Sequence, residues 1–310
     1  MQSTKDIQFL TNDLIDKKRW DACMQSSANG LLYGYSFYLD CVCNDWAALI
    51  AEDYSWVMPL CQRRKYGINY LYQPPFTQQL GIFSQKNILV PLAEIIQLIQ
   101  KKYPYCEVNW NYGTDVTSLP ASVHYTCATN FMLDLKKGYE EIYASYHKDL
   151  IKNLKRCKQF QLSYKTTDDY GTCIQLYKNH YQDRMPHLRD MDFNNLHSLC
   201  AYALQNDFLI CRKAMNEKGE LLSIVLLLKD NKRIYNLLNT TTLSGRKTEA
   251  NHFLLDSAIK EFSGSNLVFD FEGSDLPGVK SFYENFGAAN QPYFHIKYNH
   301  LPWPLRYFKK

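Results

Sequence analysis

The feature that most constrains this chain is a run of three strand patterns followed by an abrupt change of period. DFLICRKAM (207–215), ELLSIVLLLKD (220–230) and KRIYNLLNTT (232–241) are apolar stretches rich in β-forming residues. The turn Asn216-Glu217-Lys218-Gly219 joins the first pair and the tight Asp230-Asn231 turn joins the second, which predicts an antiparallel meander. The period then switches. In EANHFLLDSAIKEF (249–262), Leu254, Leu255, Ala258, Ile259 and Phe262 fall on one helical face. A strand at 267–271, another helix and the strand PYFHIKYN (292–299) complete the run. Upstream lie a strand at 161–166 and helices at 168–181 and 192–204, so the second half reads β-α-α-β-β-β-α-β-α-β.

The first half reads as a weaker copy. Strands are expected at 7–10, 46–52, 55–63, 68–72, 106–112 and 125–135, and helices at 13–27, 36–43 and 87–102. Lys136-Lys137-Gly138 breaks the pattern, which places a boundary between a domain at 1–138 and a domain at 139–310. The expected class is α+β, each domain a mixed, mostly antiparallel central sheet flanked by helices.

Hydrophobic residues make up 46% and charged residues 21% of the 310, a globular balance that excludes disorder. Ten cysteines are scattered without a CxxC pair, which favours reduced thiols in a cytoplasmic protein. No signal segment opens the sequence and no apolar run reaches transmembrane length. The net charge of +4 does not mark a nucleic-acid binder, but its distribution is informative. A helix at 147–160 gathers Lys148, Lys152, Lys155 and Arg156 on one side, away from Leu150, Ile151, Leu154 and Cys157. That stripe is either a solvated face or a seat for the phosphates of a nucleotide, a coenzyme or a tRNA.

The segment FDFEGSDLPGVKSFYENFGA (269–288) is a strand, a tight turn and a helix. Ser274 or Asp275 is expected to cap that helix, Pro277 fits its first turn, and Gly287 can end it in the left-handed conformation. Glu272 is left at the strand's carboxyl end, where open α/β sheets often hold ligands. Asp270, two residues earlier, is expected on the same strand face. These carboxylates are either a base and its neighbour, or they pair with lysines or cap the next helix. Tyr283 is either an acid or a packed aromatic.

The element order resembles the GNAT acyltransferase fold, and GVKSFYENFGA resembles its last conserved portion. The tandem arrangement resembles the FemAB-like peptidyltransferases and related FemAB-like/GNAT proteins. RWDACMQSSANGLLYGYSFYLD and YLYQPPFTQQLG also look like the first copy of that latter group. The resemblance implies that Tyr283 protonates a leaving thiolate and that the loop Leu243, Ser244, Gly245, Arg246, Lys247, Thr248, Glu249, Ala250 wraps a coenzyme pyrophosphate. Bare amides at a helix start suit that role. The family loop reads Arg/Gln-x-x-Gly-x-Gly/Ala, whereas this chain reads Arg246-Lys247-Thr248-Glu249-Ala250-Asn251. Glu249 adds bulk and negative charge where glycine lets backbone approach phosphate, which weakens acetyl-CoA as donor.

The expectation that follows is an N-acyltransferase moving an acyl or aminoacyl group to a primary amine on a small molecule or peptide. The donor is an acyl-CoA co-substrate or an aminoacyl-tRNA, and no cofactor is permanently bound. The alternative is a catalytically silent binding protein on the same fold. Glu272 is the expected base, directly or through water, with Asp270 second. Tyr72, Gln73, Phe76 and Gln78, in a proline-stiffened loop, are expected to line the acceptor groove, since their amides would otherwise be free. Lys152, Lys155 and Arg156 are expected to meet the donor. His180, Asp183, His187 and Asp190 are not read as a metal site, because Pro186 breaks the helical register.

Overall fold

The computed structural model describes residues 7–273 and 275–308. Its contacts divide the chain into two units, one reaching Ala128 and taking up the chain again from Pro292, the other spanning Thr129–Gln291.

The first unit is built on strands β1 (Ile7–Thr11), β2 (Trp46–Ala51), β3 (Trp56–Lys65), β4 (Ile68–Tyr72), β5 (Phe83–Ser84), β6 (Tyr105–Trp110) and β7 (His124–Ala128). Helices α1 (Lys17–Ser26), α2 (Ser36–Val42) and α3 (Leu92–Lys102) accompany them. The α3 residues Ile95, Ile96 and Ile99 recur at helical spacing and bury against Leu49, Met58, Leu71 and Val108 of the sheet. The second unit comprises β8 (Phe131–Asp134), α4 (Tyr139–Ala144), α5 (Lys148–Cys157), β9 (Ser163–Thr167), α6 (Tyr170–Tyr181), α7 (Asp190–Gln205), β10 (Leu209–Met215), β11 (Leu221–Lys229), β12 (Arg233–Thr241), α8 (Leu243–Lys247), α9 (Ala250–Phe262), β13 (Val268–Asp270), α10 (Pro277–Glu284) and β14 (Ala289–Asn290). A final strand, β15 (Tyr293–Asn299), follows.

Both sheets are mixed and mostly antiparallel. The first runs β1-β2-β3-β4-β6-β15-β7, with β5 on β3, and its one parallel pair is β4 with β6. The second runs β14-β8-β13-β12-β11-β10-β9, with β12 and β13 parallel. The expected class, two domains each with a mixed, mostly antiparallel sheet flanked by helices, is the class observed. The core of the second unit gathers Leu254, Leu255 and Ile259 of α9 against Val225, Leu227 and Phe269. All ten cysteines are free thiols. Among the described residues no helix is long and apolar enough to cross a membrane.

The division differs from the boundary expected at 138/139. The strand expected over 125–135 is two strands, broken at Thr129 and Asn130. Residues before the break pair with β15 in the first sheet, and residues after it pair with β13 in the second. The terminal strand likewise lies in the first sheet, between β6 and β7, rather than closing the second.

Candidate functional site

The site grows from the end of β12. Thr242 caps α8: its Oγ1 accepts the Gly245 N–H at 3.0 Å and donates to the Leu222 carbonyl at 3.1 Å. That clamp presses α8 onto β11. A Cβ on Gly245 would stand 2.1 Å from the Leu222 carbonyl oxygen, so only glycine fits there. Glu249 then turns the chain into α9 with φ of 56°, the left-handed conformation usually left to glycine.

The Glu249 carboxylate is shared. One oxygen takes Arg156 Nη2 at 2.6 Å, and the other lies 3.1 Å from His252 Nδ1, one turn along α9. His252 Nε2 lies 3.3 Å from the amide nitrogen of Asn153 on α5. The ring stands edge-on to Phe282 with centroids 4.9 Å apart. Burial lowers the His252 pKa, against the pull of Glu249 and with the push of Arg156. The ring is therefore neutral at pH 7, its Nδ1–H donating to Glu249 and its Nε2 accepting from Asn153.

Glu249 and His252 line a cleft of about 370 Å³ within the second unit. Gly245 and Arg246 join them, with Asn239 and Thr241 from β12, Tyr181 from α6, and Val279, Phe282 and Tyr283 from α10. Asn251 also lines the cleft, and its buried Oδ1 has no hydrogen-bond partner among the described residues. Tyr283 stacks on Phe271 at 4.9 Å and sits 6.4 Å from Phe131. Burial first, and the charge of Glu272 second, push the Tyr283 hydroxyl well above its ordinary value. Burial first, then Tyr181 and the charge of Glu272, lift Tyr177 to about 12. Both phenols hold their protons at neutral pH.

The expected residues are only partly brought together. Tyr283, Gly245, Arg246 and Glu249 line the cleft. Leu243, Ser244, Lys247 and Thr248 belong to α8 and its end without lining it, and Ala250 is fully buried. Residues 243–247 are therefore a helical turn and not an open loop of amides. Lys152 and Lys155 are exposed on α5, whereas Arg156 is committed to Glu249.

Asp270 lies apart from the cleft-lining residues. It is fully buried, 3.1 Å from Arg233 Nη1 and 3.3 Å from the Asn130 amide, and it accepts the Glu272 N–H at 2.9 Å. Burial raises its carboxyl pKa and these partners oppose the rise. The strand ends at Asp270, and Glu272 has φ of 56°, so the alternation that would align the two carboxylates stops before Glu272. Glu272 is half-buried and acts on the Tyr283 and Tyr177 hydroxyls through its charge, but it is not among the cleft-lining residues. Glycine follows it for a steric reason, since a Cβ on Gly273 would meet the Thr129 carbonyl oxygen at 1.9 Å. Of the two expected caps for α10, Ser274 lies outside the described residues. Asp275 instead accepts from Thr129 N and Oγ1 at 3.2 and 2.9 Å, and Leu276 is the N-cap.

The 70–81 loop belongs to the first unit. Its amides are already in use: Gln73 Nε2 donates to the Thr77 carbonyl at 2.6 Å and Gln73 Oε1 accepts the Asn109 N–H at 2.8 Å. Gln78 Oε1 accepts from buried Gln79 at 2.7 Å, and the Phe76 carbonyl accepts the Tyr38 hydroxyl. Tyr72 lies under the Arg63 guanidinium, 3.9 Å from its ring centre, and donates to Cys43 Sγ at 3.6 Å. These contacts hold the loop to the first unit. In the 180–190 stretch, His180 Nδ1 lies 2.9 Å from the Leu176 carbonyl and Asp190 pairs with Lys178 at 2.6 Å.

The sequence reading missed His252, Asn153 and Asn251. The glutamate and histidine stand at i and i+3 on a helix start, a spacing that brings side chains together. Asn153 comes from another helix and left no trace in the pattern.

No protein-family model matches the chain, and no curated protein matches it in sequence. Among solved structures it is similar to FemX, with 14% identity and a TM-score of 0.67 over 97% of this chain and 99% of that one. It is also similar to a conserved protein of unknown function from Bacteroides thetaiotaomicron VPI-5482, at 10% identity and a TM-score of 0.57 over 91% and 97% of the two chains. L-PGS from Bacillus licheniformis gives 11% identity and a TM-score of 0.53 over 94% of each chain. At these identities the likeness is one of fold. The chain shares the fold of these structures, two units that each carry a mixed, mostly antiparallel sheet flanked by helices.

Proposed function

We propose that the cleft of the second unit is an acyl-transfer site, where an acyl or aminoacyl group passes directly from a donor to a primary amine. The observation that carries this reading is a neutral histidine, fixed by Glu249, in the same cleft as a phenol that keeps its proton. Direct transfer requires one group to take a proton from the attacking ammonium and another to give one to the leaving group. His252 Nε2, once the long contact from Asn153 is exchanged for substrate, takes the first. The Tyr283 hydroxyl supplies the second to a departing thiolate or ribose oxygen. Asn251 Oδ1 is a vacant acceptor suited to the N–H of the amine. The role expected of Glu272 thus passes to His252, and Glu272 serves by keeping Tyr283 protonated.

The donor is an acyl-CoA thioester or an aminoacyl-tRNA. Arg246 on the cleft wall suits the phosphates of either, and exposed Lys152 and Lys155 add charge on α5. Arg156 offsets the negative charge that Glu249 brings to the loop, and His252 donates its Nδ1–H to the same carboxylate. The test is calorimetric titration of the chain with acetyl-CoA, free CoA and aminoacylated tRNA, followed by mass detection of an acylated amine. Binding of one donor class and product that disappears in His252→Gln supports the reading. Silence to all three donors overturns it and leaves a binding protein on this fold. Exchanging Lys152 and Lys155 for Glu separates the donors, because it abolishes tRNA binding and leaves a thioester reaction largely intact.

A further inference from the structure

The first unit carries a surface that the acyl-transfer reading does not use. The β3–β4 hairpin turns over Tyr66-Gly67, both at positive φ (52° and 78°), and leaves the Tyr66 ring 80% exposed. After β15 the chain presents Trp303 and Tyr307, 79% and 66% exposed. An apolar groove of about 510 Å³ is lined by Tyr66, Ile68, Tyr70, Tyr105, Leu301 and Leu305, together with the cation Lys65. Arg64 and Arg306, chain neighbours of Lys65 and Leu305, are exposed. No carboxylate is among the lining residues. Glu107, which takes the Tyr105 hydroxyl, is offset by Lys297 at 3.3 Å.

We infer that this surface docks the chain on an anionic lipid bilayer. Large exposed rings are costly in water, and tryptophan and tyrosine settle at the headgroup level, with the ring in the apolar boundary and the polar edge wet. Arg64, Lys65 and Arg306 then meet lipid phosphates, whose negative charge complements a patch without acidic lining. The groove between the hairpin residues and Leu301 and Leu305 accepts part of an acyl chain. Attachment of this kind is peripheral, scaling with apolar area and with the charge of the leaflet.

The structure supplies its own reporter. Of five tryptophans, Trp20, Trp46, Trp56 and Trp110 are at most 2% exposed, so Trp303 alone is placed to sense a bilayer. The full chain is mixed at low salt with vesicles of phosphatidylcholine, with and without phosphatidylglycerol, and followed by sedimentation and tryptophan emission. The expected result is sedimentation and a blue shift with the anionic vesicles, both fading as salt rises. Lys65→Gln and Arg306→Gln each weaken partition about fivefold. Trp303→Ser combined with Tyr307→Ser loses sedimentation, with an unchanged far-ultraviolet dichroism spectrum and melting temperature showing that the fold is kept. Absence of sedimentation, equal binding to neutral vesicles, or variants that bind like the wild type would overturn the inference.

Discussion

Glu249 holds His252 at 3.1 Å across one turn of α9 while its second oxygen takes Arg156 at 2.6 Å. The backbone of Glu249 adopts the left-handed conformation that glycine adopts freely. The turn into α9 thus keeps a glycine-like shape and installs a carboxylate at that point. What looked in the sequence like a damaged phosphate loop is, in the structure, the support of a histidine. Glu249→Gly would relax the backbone by about 1 kcal/mol, yet leave His252 Nδ1 without its acceptor.

The electrostatics of that trio have opposite signs and can be read by NMR. Glu249 raises the His252 pKa and Arg156 lowers it, both beneath a larger lowering by burial. In ring-proton titrations, Glu249→Gln should move His252 further below its ordinary 6.5, and Arg156→Gln should move it up. A shift of the same sign in both variants would show that the charges do not act as the geometry says. Stability follows by linkage. A histidine whose folded pKa is depressed makes the unfolded chain the better proton acceptor below pH 6.5, so stability falls as pH drops from there toward the folded pKa. The difference in stability between wild type and His252→Gln should carry that slope.

Most of the fold was legible because its signals are local. The meander turns, the apolar face of α9 and the breaks around α10 are each decided within a few residues. The partition of strands was not legible. Residues 125–135 form one continuous β-like run in sequence, and only pairing with β15 on one side and β13 on the other splits them at Thr129 and Asn130. The cleft was half legible. Tyr283, Gly245 and Glu249 came from recognisable segments, whereas Asn153 reaches His252 from 99 residues away, a distance no periodicity spans. The shared face expected of Asp270 and Glu272 is not formed, because the strand ends at Asp270 and a positive φ at Glu272 breaks the alternation. That the glutamine amides of the 70–81 loop are paired was not legible, because partners such as Asn109 on β6 are remote in sequence.

Asp270 separates structure from chemistry. Removing one member of a buried ion pair leaves the other charge without compensation, at a cost of about 3–5 kcal/mol. Asp270→Asn, which strands Arg233, should therefore lower the urea midpoint strongly. Replacing both residues with apolar side chains of similar size should recover much of the loss. Transfer activity, measured well below the transition, should survive in the double variant, because neither residue lines the cleft. Loss of turnover with folding intact would return Asp270 to the catalytic set.

Two glycines of the cleft should respond in opposite directions to alanine. Gly245 has the Leu222 carbonyl oxygen 2.1 Å from where a Cβ would stand, and backbone cannot be pushed aside cheaply. Gly245→Ala should cost about 1–3 kcal/mol and disturb α8. Gly278 has nothing within 4 Å of that point and sits in the first turn of α10. Gly278→Ala should stabilise by about 0.4–1 kcal/mol, because the unfolded chain loses freedom that the helix does not use. Thermal melts of the two variants test both signs, and a stabilised Gly245→Ala would refute the packing that sets the cleft wall.

Tyr283 offers the sharpest test of the proposed chemistry. Its ring is packed on Phe271 and Phe131, so Tyr283→Phe keeps the packing and removes only the hydroxyl. With a donor identified by titration, the variant should turn over about 10²–10⁴-fold more slowly, with donor binding and melting temperature nearly unchanged. Because burial and the Glu272 charge hold the phenol protonated, the alkaline limb of the wild-type rate profile should lie above the ordinary tyrosine value of 10.0. Glu272→Gln removes one of those two causes, so the limb should move down in that variant while the rate at neutral pH is largely kept. A neutral-pH rate that collapses in Glu272→Gln, with a limb that does not move, would instead make Glu272 the proton acceptor and His252 a positioning residue.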